Sequence, residues 1–181
     1  MFTINLITLT VNRQLQEYGE IKELIHQAFP KNEQIPMPLL KLLALRKNVL
    51  FLAHYDNGVF CWISYTVCSD KMAFVLYLAV NERVRSKGYG TAIIQRLKEL
   101  YKDKPISLNI EVIAINADNY KQRVKRQEFY KKNGFHDTGY KIVDNGEMYS
   151  ILSTGNNFCV DDYRSVIKQF SFGFYVPKVS Q

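Results

Sequence analysis

The sequence predicts a mixed α/β domain built around one largely antiparallel sheet. Three β-rich runs follow one another without an intervening helix, NVLFLAHY (48 to 55), VFCWISYTV (59 to 67) and MAFVLYLAV (72 to 80), and helical periodicity lies on both sides of them. At 181 residues, with 47% hydrophobic residues, 12 Tyr and 11 Phe, the chain has the length of one domain and the material for a proper core.

FTINLITL (2 to 9) alternates loosely and begins the chain as a strand. A helix is expected from Asn12 to Phe29, where Leu15, Tyr18, Ile21, Leu24, Ile25 and Phe29 recur at steps of three and four. The stretch FPKNEQIPMP (29 to 38) stops it, because proline drives the residue before it out of the helical region, and a short helix resumes over Leu39 to Arg46. The first two β-rich runs are joined by Asp56-Asn57-Gly58, a strong hairpin signal because positive φ is cheap there. Ser69-Asp70-Lys71 makes the next turn. Residues 88 to 101 place Ile93, Ile94, Leu97, Leu100 and Tyr101 on one helical face, and Pro105 restarts the chain as the strand ISLNIEVIA (106 to 114). A polar helix covers 119 to 132 and stops at Asn133-Gly134. Tyr140 to Val143 and Glu147 to Leu152 flank Asp144-Asn145-Gly146, a second hairpin of the first kind. Asp161 to Phe170 reads as one more short helix, and the apolar segment FSFGFYV (170 to 176) as either a strand packed on the domain or a homodimer contact.

Composition narrows the function classes. The start, MFTINLITLTVN, lacks the basic region and cleavage site of a signal peptide, and no apolar run approaches the ~20 residues that span a bilayer, so a cytoplasmic location with no membrane partner is expected. Cys61, Cys68 and Cys159 match neither a disulfide framework nor a zinc site, and His26, His54 and His136 have no metal-ligand spacing, so no metal is expected. A net charge of +7 suggests an anionic partner, but the Lys and Arg are scattered. A phosphate-bearing small molecule needs only a few of them, whereas nucleic acid, which would want a continuous basic stripe, is not expected.

The stretch VRSKGYGTAII (84 to 94) carries two glycines one residue apart at the mouth of an expected helix. Each costs about 1 kcal/mol relative to alanine inside a helix, which is offset if another molecule must approach the backbone. A helix N-terminus presents unpaired N–H groups and the positive end of the dipole, and Arg83, Arg85 and Lys87 add charge. The stretch fits neither GxGxxG nor GxxxxGK[ST]. On these residues alone, an anion site and a glycine-punctuated turn with solvated basic residues both stand.

Arg85-Ser86-Lys87-Gly88-Tyr89-Gly90 resembles the RxxGxG pyrophosphate loop of the GNAT superfamily of N-acetyltransferases, directly after a strand, LYLAV, that resembles that family's fourth. RQEFYKKNGF (126 to 135) resembles the helix that carries the family's catalytic tyrosine, with FYxxxGF filled by Phe129, Tyr130, Gly134 and Phe135. The order of elements resembles the family from residue 2 to about 152, so 1–152 is read as an acyl-CoA N-acyltransferase domain and 153–181 as a C-terminal extension. The resemblance implies a sheet of about seven strands whose fourth and fifth splay apart, and an enzyme that uses acetyl-CoA as co-substrate. It also implies that backbone groups of Leu78, Ala79 and Val80 pair with the pantetheine arm, and that amides from Ser86 to Thr91 hold the pyrophosphate.

Acetyl transfer from a thioester to an amine needs a neutral amine, a stabilised oxyanion and a proton for the departing thiolate. An amine of pKa about 10.4 is almost wholly protonated at neutral pH, so a base or a desolvating pocket is required. The resemblance makes Tyr130 the general acid, and backbone N–H groups around Leu78 to Val80 the oxyanion donors. The period of two puts Ser107, Asn109 and Glu111 on one face of the 106–114 strand, so Glu111 is either the base in a polar cleft or a solvated carboxylate. The 72–80 strand carries no carboxylate, so a base that some family members place there is missing, and Glu33 is a weaker substitute. Many family members have asparagine seven residues before the tyrosine; here that position is Arg123. Asn119 and Arg126 lie on nearly the same helical face as Tyr130 and are the residues expected to touch the cofactor. The implied partner is a small-molecule or peptide amine, with Glu33, Tyr65, Asp144, Glu147 and Tyr149 setting specificity. A non-catalytic CoA-binding module is the rival reading.

Overall fold

Both hairpin turns form with the backbone their Asn-Gly pairs favour. In the computed structural model, which describes residues 6–84 and 89–181, Asn57 and Gly58 have φ of 49° and 79°, and Asn145 and Gly146 have 50° and 82°. This is the doubly positive turn whose twist matches the flanking strands. The elements are β1 (Leu6–Thr10), α1 (Tyr18–Ala28), α2 (Met37–Leu43), β2 (Val49–Asp56), β3 (Val59–Cys68), β4 (Ala73–Val80), α3 (Tyr89–Leu100), β5 (Ile106–Glu111), α4 (Tyr120–Lys132), β6 (His136–Asp144), β7 (Glu147–Ser153), α5 (Val160–Phe170) and β8 (Val179–Ser180). Strand order is β1-β2-β3-β4-β5-β7-β6-β8, mostly antiparallel, with β4 and β5 parallel. The expected class therefore holds, with eight strands in place of about seven.

The chain divides into two compact units, Met1–Val67 with Leu76–Leu97, and Cys68–Val75 with Lys98–Gln181. In the first, Ile21, Leu40, Phe51, Trp62, Ile63, Tyr65, Ile93, Ile94 and Leu97 are buried, drawing on α1, α2, the strands and the apolar face of α3. Two tyrosines fasten the segment between α1 and β2: the Tyr65 hydroxyl donates to the Leu40 carbonyl at 2.9 Å, and that of Tyr77 donates to the Glu33 carbonyl at 2.5 Å while accepting from the Ile35 N–H at 3.0 Å. In the second, Tyr163 on α5 is the centre. It is buried between Phe74 and Phe158, with centroids 5.6 and 5.8 Å away, and it shares hydrogen bonds with Asn109 of β5.

Element boundaries depart from expectation where a side chain competes with the backbone. α1 starts at Tyr18, not Asn12, because the Asn12 carboxamide accepts from the Gln14 N–H at 2.8 Å and draws the chain into turns. Pro38 belongs to the first turn of α2, where proline initiates a helix, so α2 starts at Met37 and not Leu39. β5 ends at Glu111, short of the expected Ala114. β6 begins at His136, earlier than Tyr140, because Gly139 at φ 78° and a register shift between Asp137 and Lys141 interrupt its alternation. Residues 171–173 turn, so of the two readings of 170–176 the packed strand does not form; Phe174 is 94% exposed, and the short β8 pairs with Lys141 and Ile142 of β6.

His54 makes the first unit sensitive to acid. It faces Thr8 on β1 and Trp62 on β3 in the ladder, its ring stacks on Trp62 at 4.7 Å, and its nitrogens meet Thr8 Oγ1 at 3.1 Å and Ser64 Oγ at 2.9 Å. Burial, then the Arg96 cation, push its pKa down to about 3. The folded value lies below the unfolded 6.5, so this histidine contributes stability present above that pH and lost as pH falls toward 3. The His54 ring resonances are therefore expected not to titrate in NMR spectra between pH 7 and about 4; a midpoint near the ordinary value would contradict the buried placement.

Candidate functional site

The end of β4 and the start of α3 carry the residues that the sequence assigns to a cofactor. Leu78 and Val80 are half-buried and Ala79 is buried. The parallel ladder to β5 spans only Ala73–Val75 with Ile106–Leu108, so Leu76–Val80 forms the edge of the first unit's sheet. Asn81 closes the strand: its N–H donates to the Cys61 carbonyl at 2.7 Å, and its carboxamide donates to Glu20 and to the Phe60 carbonyl. Arg83, expected to add charge for an anion, lies 3.3 Å from the same Glu20 carboxylate. Arg85, Ser86, Lys87 and Gly88 lie outside the described residues. Tyr89, Gly90 and Thr91 form the first turn of α3, where amide N–H groups have no intrahelical acceptor. The Tyr89 hydroxyl donates to Asp56 at 2.7 Å, so its backbone, not its phenol, is what that turn can offer an anion.

Next to the Tyr77-tethered segment, the first unit has a cavity of about 520 Å³ lined by Lys22, Ile25, His26, Lys31, Gln34 and Met37, among others. No local pattern marks it, since its walls come from three separate stretches of chain. Glu33 sits in the segment beside it. Tyr65, expected to help set specificity, is fully buried with its hydroxyl on a backbone carbonyl, and is a core residue.

In the second unit, α4 brings four of the highlighted residues together. Glu111 is neither solvated nor alone: its side chain is 14% exposed, Oε1 accepts from Asn119 Nδ2 at 2.9 Å and lies 3.4 Å from Arg123 Nη2, and Oε2 accepts from Arg126. Arg123 also reaches Glu147 Oε1 at 2.7 Å and the Val112 carbonyl at 2.8 Å. Asn119 and Arg126, expected on a cofactor, are thus both engaged with Glu111, although Arg126 is 43% exposed. The role of Arg123 was not legible, because its partners come from the far end of β5 and from β7. Tyr149 is buried, and Asp144 accepts from the Tyr175 hydroxyl at 3.5 Å.

Tyr130 sits in the last turn of α4. Its ring packs edge-on against Phe129 and Phe135 at 5.2 and 5.4 Å, and Gly134 at φ 80° turns the chain so that the Phe135 N–H reaches the Tyr130 carbonyl at 3.0 Å. Its hydroxyl makes no hydrogen bond among the described residues. Burial pushes its pKa up to about 12 and the Arg126 cation pulls the other way, so the phenol keeps its proton at neutral pH. Among the described residues no group of three or more His, Cys, Asp or Glu could hold a metal ion, and no helix is long and apolar enough to cross a membrane.

This arrangement has recognisable relatives. Residues 46–137 match the model of the acetyltransferase (GNAT) domain, half of the chain, and the protein belongs to that family of acyltransferases. Among solved structures it is similar to a Bacteroides thetaiotaomicron protein described as a GNAT-family acetyltransferase, at 21% identity and TM-score 0.74 over 93% of this chain and 99% of that one. It is also similar to the ribosomal-protein-S18-alanine N-acetyltransferase of Escherichia coli, at 18% identity and TM-score 0.58 over 85% and 99%. A Bacillus subtilis acetyltransferase in complex with CoA shares 15% identity at TM-score 0.55 over 82% and 97%. These likenesses establish the fold. No curated protein matches the chain in sequence.

The placement of Tyr130 has a spectroscopic consequence. The alkaline difference titration of wild type minus Tyr130→Phe should centre near pH 12, not near the ordinary 10. Because the folded value is raised, the stability this phenol contributes is present below pH 10 and lost as pH rises toward 12. A difference curve centred near 10 would mean that the hydroxyl is solvated.

Proposed function

We propose that the protein transfers an acetyl group from acetyl-CoA to a primary amine, on a small molecule or a peptide, by direct transfer in a ternary complex. The observation that carries this reading is Tyr130: a phenol that holds its proton and has no hydrogen-bond partner among the described residues. Membership of the acetyltransferase family supports it, as do the CoA bound to the Bacillus subtilis relative and the alanine acceptor named for the Escherichia coli one.

The amine nitrogen attacks the thioester carbonyl carbon, the new C–N bond forms, and the C–S bond breaks as its electron pair leaves on sulfur. Tyr130 gives its proton to that sulfur and afterwards regains one from solvent. A half-buried phenol of pKa about 12 is a weak acid, but surroundings that disfavour phenolate disfavour thiolate as well, so both rise together. The amine's proton passes to Glu111 through water, since both of its oxygens already hold side-chain donors. The open edge of β4 offers backbone groups of Leu78, Ala79 and Val80 to the extended pantetheine arm, in the manner of an added strand. Arg85, Ser86, Lys87, Gly88, Tyr89, Gly90 and Thr91 are proposed to hold the pyrophosphate at the mouth of α3. Of Asn119 and Arg126, the more exposed Arg126 is the better candidate for a cofactor contact.

The test is release of free thiol from acetyl-CoA across a panel of amines and peptides. Tyr130→Phe should lower kcat by about 10²- to 10⁴-fold with little change in the KM for acetyl-CoA. Glu111→Gln should lower kcat as well. Tight binding of acetyl-CoA with no turnover on any acceptor would turn the reading toward a CoA-binding module, and no binding would end the cofactor assignment.

A further inference from the structure

We propose that Arg123 is a positioning residue of the transfer reaction, a buried clamp that fixes α4 and the Glu111 carboxylate; the proposal rests on the acetyltransferase reading above. Its side chain is 9% exposed and spans pieces of chain that are remote in sequence. Nε donates to Asn119 Oδ1 at 2.6 Å, at the N-terminus of α4. Nη1 donates to the Val112 carbonyl just past β5, and to Glu147 Oε1 where β7 begins. Nη2 lies 3.4 Å from Glu111 Oε1 at the end of β5.

Three features make this a clamp and not one more surface ion pair. First, Arg123 is the buried residue of α4, and no apolar side chain of that helix is fully buried, with Val124 and Phe129 only half so. The N-terminal half of α4 is therefore held by charge and hydrogen bonds in place of an apolar stripe. Second, a guanidinium out of water is tolerated only when its donors are met, and removing one partner of such a group costs far more than an exposed pair. The planar fork meets acceptors on several sides at once, which an ammonium cannot do. Third, Arg123 precedes Tyr130 by seven residues, two helical turns, so clamp and phenol lie on one face of α4. Misplacing a reacting group by about 1 Å can cost about 10²-fold in rate.

Arg123→Met, Arg123→Lys and Glu147→Gln, the last at a side chain 41% exposed and therefore mild, would be compared with wild type in the full chain. Two readouts are taken: kcat and KM with acetyl-CoA and the best amine of the panel, and amide hydrogen exchange over residues 120–132. Arg123→Met is expected to lower kcat about 10- to 100-fold and speed exchange across α4, with KM for acetyl-CoA changed less than about twofold. Arg123→Lys and Glu147→Gln should show smaller losses, and Arg123→Met combined with Glu147→Gln should lose less than the sum of the two. Unchanged exchange over α4 in Arg123→Met overturns the clamp, and a loss confined to KM for acetyl-CoA would make Arg123 a cofactor contact instead. If wild type turns over no amine, the acetyltransferase reading falls by itself while the exchange arm still decides whether Arg123 holds α4. Should Arg123→Met fail to fold, Glu147→Gln and Arg123→Lys carry the same comparison.

Discussion

A parallel ladder of only three residue pairs, Ala73–Val75 against Ile106–Leu108, is the constraint on which the rest of this molecule turns. It is reinforced at its start by the Ala73 N–H to Pro105 carbonyl bond of 2.9 Å and then stops. β4 runs on to Val80 as the last strand of the first unit's sheet, while β5 continues to Glu111 paired with β7. Among the described residues Leu76–Val80, the last strand segment of its unit's sheet, has a ladder partner on one edge only, an arrangement that folded chains normally cover or blunt. An extended polar ligand is the kind of molecule that completes such an edge, which is why the short ladder, more than any one side chain, sets where a pantetheine arm is proposed to lie.

Much of the fold was legible because its signals are local. The two Asp-Asn-Gly turns carry their own backbone preference, and the face Ile93, Ile94, Leu97 is buried as its spacing requires. Errors arose where one residue type has two meanings. Pro38 reads as part of a helix stop in the sequence and lies in a first turn in the structure. Asn12 fits the helical spacing but its carboxamide competes with the backbone, and Gly139 conceals the first half of β6 behind a bulge. Nothing local distinguishes the turn at Phe172 and Gly173 from a strand of the same apolar composition; only their positive φ, 53° and 85°, does.

For the site, the period of two correctly put Ser107, Asn109 and Glu111 on one face, and the structure gives each a polar partner: Ser153, Tyr163 and the Arg123 group. What the period could not show is that a neighbouring strand and two helices, not water, supply those partners. Those partners lie between 8 and 54 residues away, and no spacing rule reaches so far. The same limit hid Arg123. Read along α4 it is one cation among many in YKQRVKRQEFYKK, and only the return of β7 with Glu147 distinguishes it.

Tyrosine is abundant here, and the fate of its hydroxyl separates structural uses from the one proposed to be reactive. Tyr65 and Tyr77 spend theirs on backbone carbonyls, Tyr55 and Tyr89 on carboxylates, and Tyr163 on a carboxamide. Each therefore answers the cost of partial or full burial with an internal partner. Tyr130 is half-buried and its hydroxyl has no hydrogen-bond partner among the described residues, although its surroundings are dense enough to move its pKa upward. Such a donor is open to a group outside the chain, and under the proposed transfer a departing thiolate there would have the charge and the need for a proton that it answers. The ionic anchoring of α4 through Arg123 then has a physical rationale: an unspent donor is useful only if the helix that carries it does not wander.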